Sequence, residues 1–173
     1  MTVAETSKAA HTFDSRLATL AHLLKLGAER RNEVEADYLS HRLAPDMLPL
    51  GTQIVFTCNQ PRNFVLWVTG KGSADLNPRV ETLAVAEQHI ADTRTLLASH
   101  LSAESGLPAR KHLELGADLY ADLTGREYLE DFLLPNFYFH LVTVYAILRN
   151  LGVPVGKRDF MRHFLPKVQQ RAI

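Results

Sequence analysis

The sequence predicts an all-α (mainly helical) protein that folds as one four-helix-bundle domain over residues 1–173. Apolar residues recur at spacings of three and four in four separate segments, which is the period of an amphipathic helix. Each such helix has one apolar face to bury, and an antiparallel bundle buries all four faces against one another. A chain of 173 residues is long enough for one such core and too short for two comfortable ones.

The first helix is predicted over residues 9–33, after a loose terminus at residues 1–8. Its apolar face repeats at spacings of four, three and four: Phe13, Leu17, Leu20 and Leu24. The third helix is predicted to start at Asn77–Pro78, which offers a cap and a first-turn proline, and to end near Ala103.

The second helix is predicted over residues 47–69. Before it, Pro45 disfavours helical structure and Asp46 is a candidate cap. Inside it, Pro61 is expected to kink the helix or to split it near Asn59, because proline lacks a backbone donor and its ring crowds the preceding turn.

Residues 104–130 are predicted to form an irregular excursion before the last helix. The alternation of His112–Leu113–Glu114–Leu115 before Gly116, followed by a second turn signal at Thr124–Gly125, favours a short β-hairpin or a small irregular excursion there. The fourth helix ends at Gly152 and carries an unbroken apolar seam: Phe137, Leu141, Val144, Leu148 and Leu151. Residues 152–173 then form a C-terminal tail.

The composition argues against several classes of function. Nineteen basic and nineteen acidic side chains give a formal net charge of zero, so no overall field attracts nucleic acid or an anionic membrane. No run approaches the roughly 18 apolar residues that span a bilayer, and the polar N-terminal segment is unlike a signal peptide. We therefore expect a cytoplasmic protein that binds neither nucleic acid nor a membrane.

A second stripe beside the apolar seam of the fourth helix is polar and consists of Asn136, His140 and Thr143. The second helix carries a matching mixed stripe that includes Gln53 and Thr57. Placed face to face, the two stripes would line a polar pocket between the helices, where bundle proteins commonly build their sites. A buried histidine can also serve the structure alone, since neutral imidazole needs one donor and one acceptor. The sequence leaves both interpretations open.

The spacing of the histidines argues against a metal centre. Two ligands on one helix converge on an ion when they are three or four residues apart, but Asn136 and Val144 are the residues four before and four after His140. We expect no cofactor, and a divalent metal, if one binds, would use His140. The sequence also lacks a nucleophile elbow, a phosphate loop and a dinucleotide fingerprint, so it leaves open whether the protein is an enzyme.

Two surface features indicate further partners. Lys157 and Arg158 follow a glycine and are candidate anion-binding residues, although Asp159 partly neutralises them. Tyr138 and Tyr145 mark another face of the fourth helix, which indicates either a homodimer contact between helices or additional core packing.

Three motifs mark the predicted second helix, the fourth helix and the tail after it. They are Arg42-Leu43-Ala44-Pro45-Asp46-Met47-x-Pro49-Leu50-x-x-Gln53, Pro135-Asn136-Phe137-Tyr138-Phe139-His140-x-x-Thr143-x-Tyr145-Ala146-Ile147-Leu148-Arg149-x-x-Gly152-Val153, and Gly156-Lys157-x-Asp159-Phe160. These motifs resemble the signatures of a bacterial family of unknown function that is grouped with the DinB/YfiT-like proteins, a superfamily often described as metalloenzymes. The resemblance implies a DinB-like four-helix bundle with a long excursion before the last helix, and it implies a dimer.

Members of that superfamily typically bind a divalent metal through three histidines, one on the second helix and two at i and i+4 on a later helix. The resemblance places Gln53 at the second-helix position and leaves His140 without its i+4 partner. One implied function is a dimeric small-ligand-binding or non-catalytic protein with a polar pocket around Gln53 and His140. The alternative is a divergent metal-dependent transferase or hydrolase that uses His140, with Asp46 or Tyr145 as a further ligand or acid–base group.

Overall fold

Long helices and one β-hairpin make up the described part of the chain. The computed structural model describes residues 3–32, 34–101 and 106–169. The elements, in chain order, are α1 (Val3–Ala28), α2 (Glu35–Ser40), α3 (Leu50–Val68), α4 (Leu83–Leu101), β1 (Arg110–Gly116), β2 (Leu119–Thr124), α5 (Gly125–Glu127), a π-helical segment (Tyr128–Leu133), α6 (Leu134–Asn150), α7 (Lys157–Phe160) and a 3₁₀ segment (Arg162–Lys167). The predicted mainly helical fold class is confirmed. Parts of the predicted first and third helices, excursion and termini (residues 1–2, 33, 102–105 and 170–173) lie outside the described residues.

Helices α1, α3, α4 and α6 pack around one apolar core. Four residues of the predicted seam of α6 are fully buried: Phe137, Leu141, Val144 and Leu148. From α1, Phe13 lies against Phe64 of α3 and Phe137 of α6, with ring centroids 5.5 and 5.1 Å away. Aromatic contacts with tilted and edge-on rings therefore join three of the four long helices.

The structure corrects the boundaries of the first two predicted helices. Helix α1 begins at Val3, so residues 3–8 are helical and do not form a loose terminus. Helix α3 begins at Leu50, and Asp46 lies in the exposed turn before it and does not cap it. Pro61 lies inside α3, which continues through it without the predicted split near Asn59.

Helix α4 begins at Leu83, so the predicted start at Asn77–Pro78 is wrong. Asn77 Oδ1 accepts a hydrogen bond from the backbone amide of Arg79 at 3.0 Å, which closes a local turn. The backbone amide of Leu83 donates to Glu35 Oε2 of α2 at 3.0 Å. A residue 48 positions away thus satisfies a free donor at the helix start.

The expected β-hairpin is confirmed between α4 and α6 in the chain, and Leu113 and Leu123 of its strands pack against the core. Strand β1 pairs antiparallel with β2. The turn residues Ala117 and Asp118 both have positive φ, 39° and 58°, as a type I′ hairpin turn requires.

Helix α5, the π-helical segment and α6 form one continuous helical stretch from Gly125 to Asn150. By length and composition this stretch could cross a membrane, although the sequence has no long unbroken apolar run. In the bundle, its apolar seam packs against α3 in the core. It is therefore one of the core helices of this fold.

Candidate functional site

His140 and Gln53 form the centre of the candidate site. They lie on α6 and α3, and His140 Nδ1 is 2.7 Å from Gln53 Oε1. Both side chains are buried, with exposed fractions of 7% and 1%. The structure therefore brings two of the predicted pocket residues together, and their own hydrogen bond spans the space between them.

The glutamine determines which nitrogen of the imidazole carries the proton. Gln53 Nε2 donates to the carbonyl oxygen of Leu48 at 3.1 Å, which leaves the amide oxygen facing His140. Because that oxygen only accepts, His140 Nδ1 donates and Nε2 carries the lone pair. Among the described residues, Nε2 has no hydrogen-bond partner. The site thus presents one nitrogen that can accept a hydrogen bond.

Aromatic rings flank the imidazole and favour its neutral form. Phe56 of α3 and Phe139 of α6 approach it edge-on, with ring centroids 5.2 and 5.1 Å away. Burial lowers the pKa of His140 from 6.5 to about 4, because the imidazolium would lose its hydration. At neutral pH the ring is an uncharged base.

The other polar residues of the predicted pocket bond to their own helices. Each donates to the carbonyl oxygen four residues earlier, at 2.7 to 2.8 Å: Thr57, Asn136 and Thr143. Short polar side chains often make this local bond within a helix. They therefore border the helix interface with these donors already used.

Asp46 and Tyr145, the candidates for an additional ligand or acid–base role, make no hydrogen bond to His140. Asp46 is exposed in the turn before α3. The ring of Tyr145 packs against Phe160 of α7, with centroids 5.6 Å apart. The structure gives neither residue a contact through which it could assist the imidazole.

Lys157 and Arg158 are exposed in α7, a helix of only four residues. The backbone amide of Gly156, just before them, donates to Asp159 Oδ2 at 2.9 Å. Asp159 Oδ1 also lies 3.0 Å from His22 Nε2. The Gly156 and His22 hydrogen bonds hold the pKa of Asp159 below its usual value. The chain's own carboxylate thus takes the backbone donor that an anion would use.

Tyr138 and Tyr145 both pack against the chain itself, which agrees with the second of the two interpretations of this face, additional core packing. Arg16 Nε of α1 donates to the hydroxyl of Tyr138 at 3.1 Å, and Tyr145 lies under Phe160. The exposed apolar residues of α6 are Phe139 and Val142, with exposed fractions of 56% and 47%.

A cleft of about 650 Å³ adjoins the pair, between α2, the start of α3 and residues 78–81. Leu48, whose carbonyl accepts from Gln53, and Phe56, whose ring meets His140, both line this cleft. The prediction of a polar pocket did not include them, because apolar residues beside a polar stripe are normally core. The spacing of Phe56, three residues after Gln53 on the same helix face, was the available signal.

The residues around His140 do not fit a three-histidine metal centre. Gln53 Oε1 already accepts the Nδ1 proton, and Val144 at the i+4 position is fully buried in the core. Within residues 3–32, 34–101 and 106–169, no group of three or more His, Cys, Asp or Glu side chains is placed to hold a metal ion. An ion at Nε2 would find a single nitrogen ligand, whereas zinc sites in proteins use three or four protein ligands.

Comparison with known proteins identifies a family of unknown function and a structural relative. A family model described as a domain of unknown function, DUF1993, matches residues 7–161. The crystal structure of a DinB family member protein from Shewanella denitrificans, at 1.83 Å resolution, matches with a TM-score of 0.60 and 27% sequence identity. That match covers 92% of this chain and 89% of the other chain. No curated protein matches significantly.

Proposed function

This chain belongs to the DUF1993 family, domains of unknown function, and has a DinB-like fold; we propose that it is a non-catalytic protein that binds a small molecule beside Gln53 and His140. The ligand would donate a hydrogen bond to His140 Nε2. The observation that carries this proposal is the 2.7 Å bond between His140 Nδ1 and Gln53 Oε1, which leaves Nε2 as an acceptor.

The surroundings of the pair support ligand binding. The cleft of about 650 Å³ is of the size that small-molecule sites have. Its wall residues Leu48 and Phe56 contact the pair directly. A ligand in the cleft would lie against Phe56, whose ring centroid is 5.2 Å from that of the imidazole.

The hydrogen bonding of His140 supports a binding role over an acid–base role. General acid–base catalysis works best when the pKa of the catalytic group is near the working pH. The pKa of His140 is lowered by burial to about 4, and the partner of the imidazole is an amide that cannot take up its proton. The same features serve recognition, because a neutral imidazole is less costly to bury than an imidazolium and its unpaired Nε2 gains from a donor that a ligand supplies.

We also propose a cytoplasmic homodimer that uses the exposed side chains of Phe139 and Val142. These residues are three apart on α6, so they share a face, and two exposed apolar side chains on one helix face are typical of a helix-to-helix contact. The two-fold contact would place His140, which follows Phe139 in the chain, near the dimer interface.

The binding proposal is tested by ¹⁵N NMR of His140 in wild-type protein titrated with phenol, with anisole as the matched probe that lacks a donor. We expect phenol to shift the Nε2 resonance saturably and anisole to leave it unchanged. By calorimetry, His140→Ala should lose phenol binding, whereas His89→Ala, on α4, should keep it. Equal shifts with both probes, or phenol binding that survives His140→Ala, would contradict the proposal.

The second candidate is a divergent metal-dependent transferase or hydrolase that uses His140. One observation favours it: the lone pair lies on Nε2, the nitrogen that a histidine offers to a metal when its Nδ1 is hydrogen bonded. Elemental analysis of untagged purified protein distinguishes the two candidates. Stoichiometric metal that disappears in His140→Ala would replace the binding proposal with this one.

A further inference from the structure

A second cavity, about 410 Å³ in volume, lies between α3, residues 73–75, strand β1 and the π-helical segment. Gln60 and Asn63 of α3 line one side, and Tyr128 and Phe132 of the π-helical segment line another. His140 does not line it, so an inference about this cavity goes beyond the proposed function and does not depend on it.

The aromatic side of the cavity already faces a cation. Tyr128 and Phe132 are stacked, with ring centroids 5.7 Å apart and an angle of 16° between the rings. Lys111 Nζ of β1 lies 5.4 Å from the centroid of the Tyr128 ring. An ammonium group within about 6 Å of a ring centroid is attracted by the negative face of the ring. π-Helical turns are rare and frequently occur at functional sites.

Acceptors line the opposite side. Asp75 Oδ1 accepts from Asn63 Nδ2 at 3.0 Å, so this carboxylate is held by a neutral amide. Among the residues that the structure describes, Gln60 Oε1 and Asn63 Oδ1 are buried and accept no hydrogen bond. Buried acceptors without a donor are unfavourable, and a donor brought by a ligand would relieve that cost after small side-chain rotations.

The charges around the cavity leave Asp75 as the carboxylate that a ligand can engage. Glu114 also lines the cavity, but it is paired with His112 Nε2 at 3.0 Å. Asp75 acts on the neighbouring ring, since its charge, after desolvation by burial, contributes to raising the pKa of Tyr128 to about 12. A negative charge, an aromatic face and unpaired amide oxygens together are the groups that recognise an organic ammonium ion.

We propose that this cavity binds a small organic cation, an amine with an apolar body, in the position over Tyr128 that Lys111 now occupies. Lys111 is the intramolecular occupant of the position, and its long flexible side chain can turn out to solvent when the ligand enters. The lysine therefore competes with the ligand.

The sole tryptophan, Trp67, reports on this cavity. Its ring lies edge-on to Tyr128 with centroids 4.9 Å apart. Trp67 fluorescence of the whole chain is titrated with benzylamine, with benzyl alcohol as the neutral probe and benzoate as the anionic one. We expect a saturable change with benzylamine and binding about tenfold weaker with benzyl alcohol, which lacks the charge.

Two test variants and one control variant sharpen the experiment. Lys111→Met removes the competing cation and should tighten benzylamine binding about threefold or more, whereas Lys71→Met makes the same change of charge at an exposed site outside the cavity and should leave binding unchanged. Asp75→Asn keeps the acceptor for Asn63 and should weaken binding about tenfold. If Lys111 only stabilises the fold, Lys111→Met will leave benzylamine binding unchanged or weaken it.

Three results would overturn the proposal. If benzoate binds more tightly than benzylamine, the cavity is an anion site formed by Lys111 and His112. Benzyl alcohol that binds as tightly as benzylamine would make it an apolar cavity. The absence of saturable benzylamine binding in both wild type and Lys111→Met would show that it is no site. Because Phe56 lines both this cavity and the cleft near His140, competition separates the two sites: saturating benzylamine should leave the phenol affinity measured at His140 Nε2 unchanged.

Discussion

His140 of α6 donates its Nδ1 proton to Gln53 of α3 across 2.7 Å, although the two residues are 87 positions apart in the chain. Both are buried, and Gln53 is itself held through its amide nitrogen by Leu48. The hydrogen bond therefore fixes the register of two core helices and the protonation of one ring together. Variants at either end of this bond should change both properties.

The free energy of unfolding should fall as the pH falls from 6.5 toward 4. The pKa of His140 is lowered in the folded state to about 4, so within this window the unfolded chain binds the proton and the folded chain does not. We expect His140 to contribute a loss of about 1 to 2 kcal/mol over the window, allowing for partial solvent screening. Urea unfolding at several pH values measures it.

His140→Gln isolates this contribution, since glutamine keeps a hydrogen-bonding amide and does not titrate. The comparison is needed because burial also lowers the pKa values of His89, His100 and His163. Their titration also lowers the free energy of unfolding of wild type as the pH falls. The variant should therefore have a shallower curve than wild type between pH 6.5 and 4. Identical slopes would show that His140 is not held neutral by burial.

Gln53→Glu should raise the pKa of His140 well above its wild-type value. A carboxylate in place of the amide oxygen favours the imidazolium through charge and hydrogen bonding. NMR titration of the His140 ring measures the change. Gln60→Glu is the matched control, because it lies two turns further along α3 and makes no contact with the imidazole. If both variants leave the pKa of His140 unchanged, the Gln53–His140 hydrogen bond does not form in solution.

Spacing in the sequence predicted which faces meet, and it could not predict which polar atoms pair. The seam from Phe137 to Leu148 and the facing stripes of Gln53 and His140 follow from the helical period alone. Thr57 and Thr143 lie close to those stripes but bond to their own backbones. The helical period does not tell these two outcomes apart, because a polar side chain can bond either to the backbone of its own helix or to a partner on the facing helix.

The errors at helix ends have a related cause, since partners distant in the chain decide them. Asn77–Pro78 has the composition of a helix start, yet Asn77 closes a local turn, and Glu35 of α2 binds the real start at Leu83. Likewise, the sequence left the Tyr138 face open between a dimer contact and core packing, because the donor to its hydroxyl, Arg16, is 122 positions away. Only the packed fold supplies such contacts.

Gly125→Ala should destabilise the junction between the hairpin and the π-helical segment by about 1 to 3 kcal/mol, as overpacking of buried sites does. A Cβ at this position would collide with the backbone carbonyl of Pro108 and come within 3.1 Å of the Trp67 ring. A backbone atom cannot rotate away as a side chain can. Gly72→Ala is the control, since nothing lies within 4 Å of its added Cβ. Urea unfolding followed by Trp67 fluorescence measures both variants, and equal stability of the two would contradict the close approach.

Replacing Phe139 and Val142 together by serine should convert the proposed dimer to a monomer. Both side chains are exposed, with fractions of 56% and 47%, so their removal deprives a helix-to-helix contact of its apolar centre at little cost to the core. Sedimentation velocity at several concentrations measures the oligomeric state. Val85→Ser on α4, where the exposed fraction is 41%, should leave the dimer intact. A wild-type protein that stays monomeric at high concentration would rule out the dimer, whereas a dimer that survives the double substitution would place its interface elsewhere on the surface.

The same experiment bears on ligand binding, because the ring of Phe139 contacts His140 on the α6 side. If the dimer covers that ring, phenol should bind less tightly as protein concentration rises, and the monomeric double variant should lose this concentration dependence.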